Sequence, residues 1–572
     1  MEKRLEELLL TVQKPGRYVG GEWNSVCKEW TDDKVKVLLA FPDAYEIGMS
    51  YLGIKILYGI LNERADCLCE RVFAPWTDFE KVLRENKIKL FSLESKAAID
   101  RFDIIGFSLA YELSYTNVLN MLDLGGMPLR SSERGDDDPI IIAGGPSCYN
   151  PEPMAEFIDA FVIGDGEEAI LEVIEVCRKL KSANRKPRRQ LLKELARIEG
   201  VYVPSLYNVE YNSDGNISKF FPIEDDIPAK INKRVVKDLD AAFYPTKQIV
   251  PNIQIVHDRI AIEIMRGCKH ACSFCQATTT YRPCRERSPE TILKLAKETY
   301  VNTGYDEISL LSLSSGDYRG IMEVIDSLNK EFSQKSVAIS VPSLRIESII
   351  KELPDLISKV KKAGLTFAPE AGSERLRMSL RKNIDIEKLF LAATESFKKG
   401  WKRVKLYFMI GLPGEEDKDI SEITELVYKI SGLKKAVDSR PAEVAVSINA
   451  FVPKPHTELQ RNGMDSIEIL KHKSELLRNS MRSRKIELSI HPFNMSYLEA
   501  LICRGDRRVS EVILEAWKNG ARFDGWQDRL NFGIWTDAFK NIGIDPAYYV
   551  HRTRGPGEIL PWDFISISKP LI

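Results

Sequence analysis

Hydrophobic positions fall along this chain in two alternating rhythms. Short apolar runs, which read as strands, take turns with longer stretches whose apolar residues recur at helical spacing. Val35 to Ala40 is the first such run, and Tyr51 to Glu63 follows it with a helical period. Ile104 to Leu109, Ile140 to Ala143 and Ala160 to Ile163 are three further strand candidates. Strands separated by helices predict a parallel sheet wrapped on both faces, a doubly wound domain over residues 34–175. Ligands of such sheets sit beyond the carboxyl ends of the strands. The loops Pro42 to Tyr51, Ser108 to Ser114 and Gly144 to Tyr149 are therefore expected to converge.

The same rhythm resumes between residues 259 and 480. Strand candidates are Ile260 to Met265, Glu307 to Leu313, Ser336 to Ser340, Leu365 to Pro369, Arg403 to Met409 and Ala445 to Phe451. Ser288-Pro289-Glu290 marks a helix start, with Ser as cap and Pro at the first position, and Gly304 lies past its end. Six strand–helix units predict a partial (β/α)6 barrel, with function at the carboxyl ends of its strands. Residues 1–33 read as a helix and an aromatic arm strapped over another domain. Residues 176–258 read as a helical and hairpin connector, turning at Asn212 to Gly215. Residues 481–572 read as a small α-rich domain, whose aromatics near helical spacing suit a core better than a base-stacking surface.

Composition narrows this picture. At 572 residues the chain is long enough for about three domains. A net charge of −1 supplies no global field to recruit nucleic acid. The basic run Arg185 to Arg189 lacks neighbouring aromatics and reads as a solvated face. The charged amphipathic opening Met1 to Glu7 is unlike a signal peptide, and the apolar runs are too short to cross a bilayer. Ten cysteines without a secretion signal fit a reducing, cytoplasmic compartment.

Three of those cysteines stand apart. Arg266-Gly267-Cys268-Lys269-His270-Ala271-Cys272-Ser273-Phe274-Cys275 places thiols at i, i+4 and i+7 directly after a strand. Three thiolates can hold three irons of a [4Fe–4S] cluster and leave the fourth open to a ligand. Zinc is the competing reading, with His270 or Cys284 as fourth ligand, but structural zinc sites usually bring a second Cys or His pair. Cys27, Cys67, Cys69, Cys148, Cys177 and Cys503 are too scattered to form a second centre.

This spacing, with Phe274 before the last cysteine, resembles the radical S-adenosylmethionine (SAM) enzymes. The resemblance implies that Cys268, Cys272 and Cys275 ligate the cluster, and that its open iron chelates SAM. Reductive cleavage then gives methionine and a 5′-deoxyadenosyl radical, the electron coming from a flavodoxin or ferredoxin. It also implies a set of SAM contacts at the strand ends. Ser315, Gly316 and Asp317 stand in the family's Gly-Gly-Glu position, with Asp replacing Glu. Ser340 and Arg345 stand where the methionine carboxylate or ribose is met. Glu370 resembles a ribose contact in a turn similar to that of methylthiotransferases, and Gly411 and Gly414 belong to a Gly-x-Pro-Gly-Glu-like turn beside the adenine.

The amino-terminal domain carries a second resemblance. Asp43-Ala44-Tyr45-Glu46-Ile47-Gly48 is similar to the Asp-x-His-x-x-Gly loop of cobalamin-binding domains, with Tyr45 in the histidine's place. Ser108, Gly144 and Gly145 stand where that fold surrounds the cobalamin tail, and Gly164 to Glu168 resembles a stretch that precedes radical SAM barrels. No histidine precedes His257, so this domain offers cobalt no imidazole. A flavodoxin-like domain without the cofactor stays open as the alternative. This order of domains implies cobalamin-dependent methylation or another radical modification of an RNA, a protein or a small metabolite. Two alternatives stand beside it, cobalamin-independent methylthiolation and a non-catalytic Fe–S adaptor.

Overall fold

The computed structural model describes residues 2–182, 187–342, 365–382 and 384–567. Its first half is a six-stranded sheet built from β1 (Val35–Phe41), β2 (Cys67–Phe73), β3 (Ile104–Ser108), β4 (Ile140–Gly144), β5 (Ala160–Val162) and β6 (Val201–Tyr202). The spatial order is β2-β1-β3-β4-β5-β6, with β1 to β5 parallel and β6 antiparallel at the edge. The order 2-1-3-4-5 is that of flavodoxin-like doubly wound sheets. Four of the five parallel strands coincide with the apolar runs. The fifth, β2, does not read as one because Glu70 and Arg71 lie within it, both fully buried.

Beyond that sheet, β7 (Tyr207–Tyr211) and β8 (Ile217–Pro222) form the expected antiparallel hairpin, and β9 (Ile231–Asn232) leads into the barrel. The barrel begins with β10 (Ile260–Glu263), then a short antiparallel pair, β11 (Met265–Arg266) with β12 (Arg285–Glu286), which closes the base of the cysteine loop. β13 (Glu307–Leu311) and β14 (Ala338–Ser340) continue β10 in parallel. β15 (Leu365–Glu370), β16 (Arg403–Ile410), β17 (Glu443–Ala450) and β18 (Ile486–Ile490) form a second parallel run. β18 is a seventh strand, past the residue-480 boundary and the six units read from the sequence. The helix Pro289–Thr303 starts and stops on its predicted signals: the Ser288 hydroxyl accepts from the Thr291 N–H, and Gly304 takes φ 71°.

The arm before β1 straps both halves together. Arg17 pairs with Glu46, Glu22 pairs with Arg71, and the Trp23 Nε1 donates to the Asn302 carbonyl. Tyr18 is buried, whereas Trp23 stays 69% exposed despite its aromatic bulk. The tail packs its aromatics inward, with Phe523 and Trp535 buried, and returns through β19 (Ile565–Ser566), which pairs with β9.

Candidate functional site

The cysteine loop leaves the barrel at Gly267, whose φ of +91° an L side chain rarely adopts; a Cβ there would meet the Tyr281 carbonyl at 2.7 Å. Cys268, Cys272 and Cys275 are all partly exposed, and none is in a disulfide. Among the described residues no three Cys, His, Asp or Glu side chains gather around one point as a single-metal site. Cluster ligands bind different irons, so they need to surround a volume instead of converging. The donor set and the half-open loop thus suit a cluster and do not suit a closed zinc site.

The loop is held from both sides of the barrel mouth. The Ser273 N–H donates to the Leu380 carbonyl at 3.0 Å, and the Ser273 carbonyl accepts from the Leu459 N–H at 3.3 Å. Phe274 packs on a small cluster of Ala371, Leu376, Leu380, Leu412 and Phe451. His270 Nε2 lies 2.7 Å from Asp317 Oδ2, which also accepts from the Ser314 hydroxyl at 2.5 Å, and Lys269 donates to the Asp317 carbonyl. Asp317 therefore braces the cysteine loop, a use that similarity to a Gly-Gly-Glu turn did not suggest. Ser315 and Gly316 are buried beside it, with the Ser315 hydroxyl 2.9 Å from that of Ser312.

Other strand ends carry the remaining barrel candidates. Ser340 ends β14 with its hydroxyl buried and unpaired among the described residues. Arg345 lies outside the described residues. Glu370 ends β15 at φ +68°, with its carboxylate 3.3 Å from Lys382 Nζ. Gly411 and Gly414 follow β16 at φ +81° and +72°. The Gly411 N–H donates to Glu415 Oε2 at 2.6 Å, and Lys473 pairs with the same carboxylate at 2.8 Å. A Cβ at Gly414 meets nothing within 4 Å, so it is φ alone, in this turn, that favours glycine there.

Between the doubly wound sheet and this mouth lies a cavity of about 500 Å³. Its sheet wall is made by alternate residues of β1, β3 and β4, namely Val37, Leu39, Ile104, Gly106, Ile142 and Gly144, and its helical wall by Leu52, Ile56, Leu57 and Ile170. Gly106 and Gly144 open this wall: a Cβ on Gly106 would stand 3.6 Å from Leu39. The three loops expected to converge do so here, through Tyr51, Ser108, Gly145 and Tyr149. At its other end the cavity reaches Glu263, Arg266, Gly267, Tyr281 and Ser312, beside the first cysteine.

The Asp43 to Gly48 loop is placed differently from the expectation. Tyr45 is 1% exposed, and its hydroxyl donates to Glu22 Oε1 at 2.9 Å, so the phenol faces the strap and not the cavity. Burial and the Glu22 charge hold its pKa well above the usual tyrosine range. Asp43 accepts from Trp526 Nε1 at 2.8 Å, its carboxyl raised by burial, and a Cβ on Gly48 would strike Phe73 at 2.3 Å. The strap and tail occupy this loop, and the cavity opens instead on Tyr51, Leu52 and Gly53 just beyond it.

Two ion clusters hold the sheet against the barrel. Arg266 meets Glu167 at 2.6 Å, Glu263 at 2.8 Å and Asp165 at 3.1 Å, and Arg285 meets Asp165 at 2.6 Å. Burial disfavours the Arg266 charge, yet the three carboxylates raise its pKa above the ordinary arginine value. Lys454, after β17, meets Glu112 at 2.9 Å and Glu499 at 2.8 Å, and Tyr111 donates to Glu499. Nearby, His456 Nε2 donates to the Tyr149 carbonyl at 2.9 Å, and burial pushes its imidazole down to about 4. Of these pairings only Glu263 with Arg266, three residues apart, is local in sequence; the others join distant segments and were not legible as site contacts.

Comparison with known proteins agrees with this geometry. Residues 262–427 match the family model of the radical SAM superfamily, and residues 53–204 match that of the N-terminal region of radical SAM proteins. An uncharacterised protein of Methanocaldococcus jannaschii is 28% identical over 519 residues, covering 88% of this chain and 98% of that protein. A tRNA-2-methylthio-N(6)-dimethylallyladenosine synthase of Legionella pneumophila is 26% identical over 225 residues, 36% of this chain and 49% of that protein. Among solved structures, the radical SAM methyltransferase TsrM from Kitasatospora setae, with cobalamin and a [4Fe–4S] cluster bound, aligns at TM-score 0.51 and 14% identity. That alignment covers 77% of this chain and 75% of that one. The chain thus carries a radical SAM domain behind a doubly wound amino-terminal domain of the kind found in radical SAM proteins. No helix among the described residues is long and apolar enough to cross a membrane.

Proposed function

We propose that this chain is a cobalamin-dependent radical SAM enzyme that methylates, or otherwise modifies by radical chemistry, a carbon of its substrate. The observation that carries this reading is the cavity, which runs from the apolar interior of the doubly wound sheet to the residue before Cys268. Its glycine-opened apolar wall suits the buried tail of a cobalamin, and its polar end at Glu263, Arg266 and Ser312 suits the amide-fringed rim. When bound, the cluster and SAM supply a 5′-deoxyadenosyl radical and the cobalamin a transferable methyl group.

The chain's own residues position and enclose. Cys268, Cys272 and Cys275 hold three irons, while Asp317 and His270 fix the loop that carries them. Gly411, Gly414 and Glu370 shape the strand ends that approach the nucleoside. Arg266 and its three carboxylates seal the mouth of the cavity against the barrel, which keeps water from the reacting space. Tyr45, bonded to Glu22, does not ligate cobalt on this reading.

The half-length match to methylthiotransferases leaves methylthiolation as a second reading, but those enzymes normally use a second cluster. Outside the motif, Cys67 and Cys69 are buried two residues apart on β2 and Cys148, Cys177 and Cys503 are buried on other elements, with burial pushing the Cys67 and Cys503 thiols up to about 12. The test is anaerobic reconstitution with iron, sulfide and hydroxocobalamin, followed by reduction with SAM present. Stoichiometric iron, a cobalamin spectrum after gel filtration and release of 5′-deoxyadenosine are expected. SAM cleavage without cobalamin retention would favour the second reading, and no cleavage at all would reduce the protein to an Fe–S adaptor.

A further inference from the structure

The cavity between the doubly wound sheet and the cysteine loop is lined by five hydroxyl-bearing side chains, and the protein engages two of those hydroxyls. Tyr149 donates to the Thr280 carbonyl at 2.9 Å, and Ser312 lies 2.9 Å from the Ser315 hydroxyl. The other three are Tyr51, just before the helix Leu52–Glu63, Tyr281, just past the short helix Gln276–Thr280, and Ser108 at the end of β3. Their hydroxyls have no hydrogen-bond partner among the described residues, and neither phenol is acted on through a hydrogen bond. Nor are they sealed in the interior, as the partnerless hydroxyls of Ser309, Ser340 and Tyr305 are. Each keeps open surface, and the open space beside it is the cavity. A hydroxyl in so apolar a chamber is costly to leave unbonded, so a ligand that engages it is favoured.

The two phenols come from the two domains. Tyr51 belongs to the sheet and Tyr281 to the segment that follows Cys275. The Tyr51 ring is held in place, 5.6 Å from the Phe41 ring and so close over Gly53 that a Cβ there would meet its Cε1 at 2.8 Å. A donor fixed before its ligand arrives loses little entropy on binding. Burial above all, with Tyr281, Cys148 and Glu263 adding to it, holds the Tyr51 phenol well above the usual tyrosine range. Burial, then Glu263, raises Tyr281 in the same sense. Both are therefore protonated donors at neutral pH. The charged groups of the lining are Asp165, Glu167 and Glu263 against the single cation Arg266. An anionic group entering this end would meet an excess of like charge, whereas a neutral oxygen acceptor would not.

We propose that Tyr51 and Tyr281 hold the cavity's ligand from both domains, each donating its phenolic proton to a neutral oxygen acceptor of the carboxamide kind. Ser108 is a third contact on the sheet side. This rests on the cobalamin reading above and adds to it the residues that meet the ring's carboxamides. It also reassigns a role: Tyr51, and not Tyr45, is the phenol following β1 that reaches the cavity.

The test is titration of the reconstituted full-length protein with hydroxocobalamin, read by the visible spectrum and by retention on gel filtration. Saturable binding to the wild type is expected. Tyr51→Phe and Tyr281→Phe should each weaken it about fivefold or more, as removal of one partner from a buried hydrogen bond does, and the double variant should lose more than either. Iron content and the melting transition of the cobalamin-free variants should stay unchanged, because phenylalanine keeps the ring and the lost hydroxyl has no protein partner. Tyr45→Phe, whose hydroxyl meets Glu22, should bind as the wild type does. Cobalamin monocarboxylic acids, each with one propionamide hydrolysed to a carboxylate, are titrated separately, and at least one should bind more weakly than hydroxocobalamin. Wild-type affinity in the double variant, or equal affinity for every monocarboxylic acid, overturns this proposal and leaves the cobalamin reading intact. A wild type that retains no cobalamin overturns both. Absence of 5′-deoxyadenosine release with cobalamin retained refutes the radical chemistry and not this assignment.

Discussion

Arg266 stands two residues before the first cluster cysteine, and replacing it with methionine tests whether the domain interface holds the site together. Methionine keeps much of the side-chain length and removes the charge. Asp165 keeps Arg285 at 2.6 Å, but Glu167 and Glu263 lose the cation they share. Their side chains are 10% and 19% exposed, so two mostly buried carboxylates are left without compensation. Breaking one partner out of a buried ion cluster costs about 3–5 kcal/mol. For the domain that melts, that corresponds to a fall of roughly 6–20 °C in its transition. The assay is anaerobic thermal denaturation of Arg266→Met, with iron content measured after reconstitution. Adding Glu167→Gln and Glu263→Gln should recover much of the loss, because neutral amides need no cation. A single variant that melts within about 1 °C of the wild type, with full iron, would show the cluster to be solvated and refute the reasoning.

Three further outcomes are expected. Cys268→Ala, Cys272→Ala and Cys275→Ala should each lose the iron–sulfur absorption and all SAM cleavage, whereas Cys284→Ala, although its Cα would lie 3.0 Å from a Cβ on Gly267, should keep both. Gly106→Val should fill the cavity from a wall where its Cβ makes only an ordinary 3.6 Å contact, so cobalamin retention on gel filtration should fail while iron content stays unchanged. His456, held neutral down to about 4 by burial, takes up its proton later in the folded chain than in the unfolded one at about 6.5. Stability should therefore fall as pH drops from about 6.5 toward 4, by up to about 3 kcal/mol, and His456→Gln should flatten that slope in denaturant titrations across the window.

The sequence disclosed those features whose signal is local. β1, β3, β4 and β5 are apolar runs, the Pro289–Thr303 helix carries its own cap and stop, and the cysteine spacing is a motif in one loop. β2 escaped because Glu70 and Arg71 break its apolar run. Their burial is made possible by Trp30 and Ser95 on one side, and by Glu22 and Glu94 on the other. No pattern within residues 67–73 announces those partners. The misreading of Tyr45 has the same origin: the loop resembles a cobalamin loop locally, but Glu22, far back in the strap, decides where the phenol points. β18 was missed for a different reason. It closes the sheet as its last strand, with one side exposed, and its Ile-Glu-Leu-Ser-Ile run is too polar to stand out as buried.

The placement of the two ion clusters bears on how the chemistry is assembled. Asp165 lies in the loop after β5 and Glu167 in the first turn of the helix that follows it, and Glu112 opens the short 3-10 turn after β3, so both clusters grip the carboxyl edge of the doubly wound sheet. Their partners Arg266 and Lys454 lie at the barrel mouth, one after β10 and the other after β17. Buried ion pairs add little net stability, but one displaced from its register is strongly penalised, and so they fix geometry. Two such clamps on well-separated strands resist rotation as well as separation of the domains. A cavity floored by the sheet and roofed by the barrel requires that constraint, since a small relative slip would open its mouth to water. The residues least legible in the sequence are thus the ones that keep the cysteine loop facing the cavity.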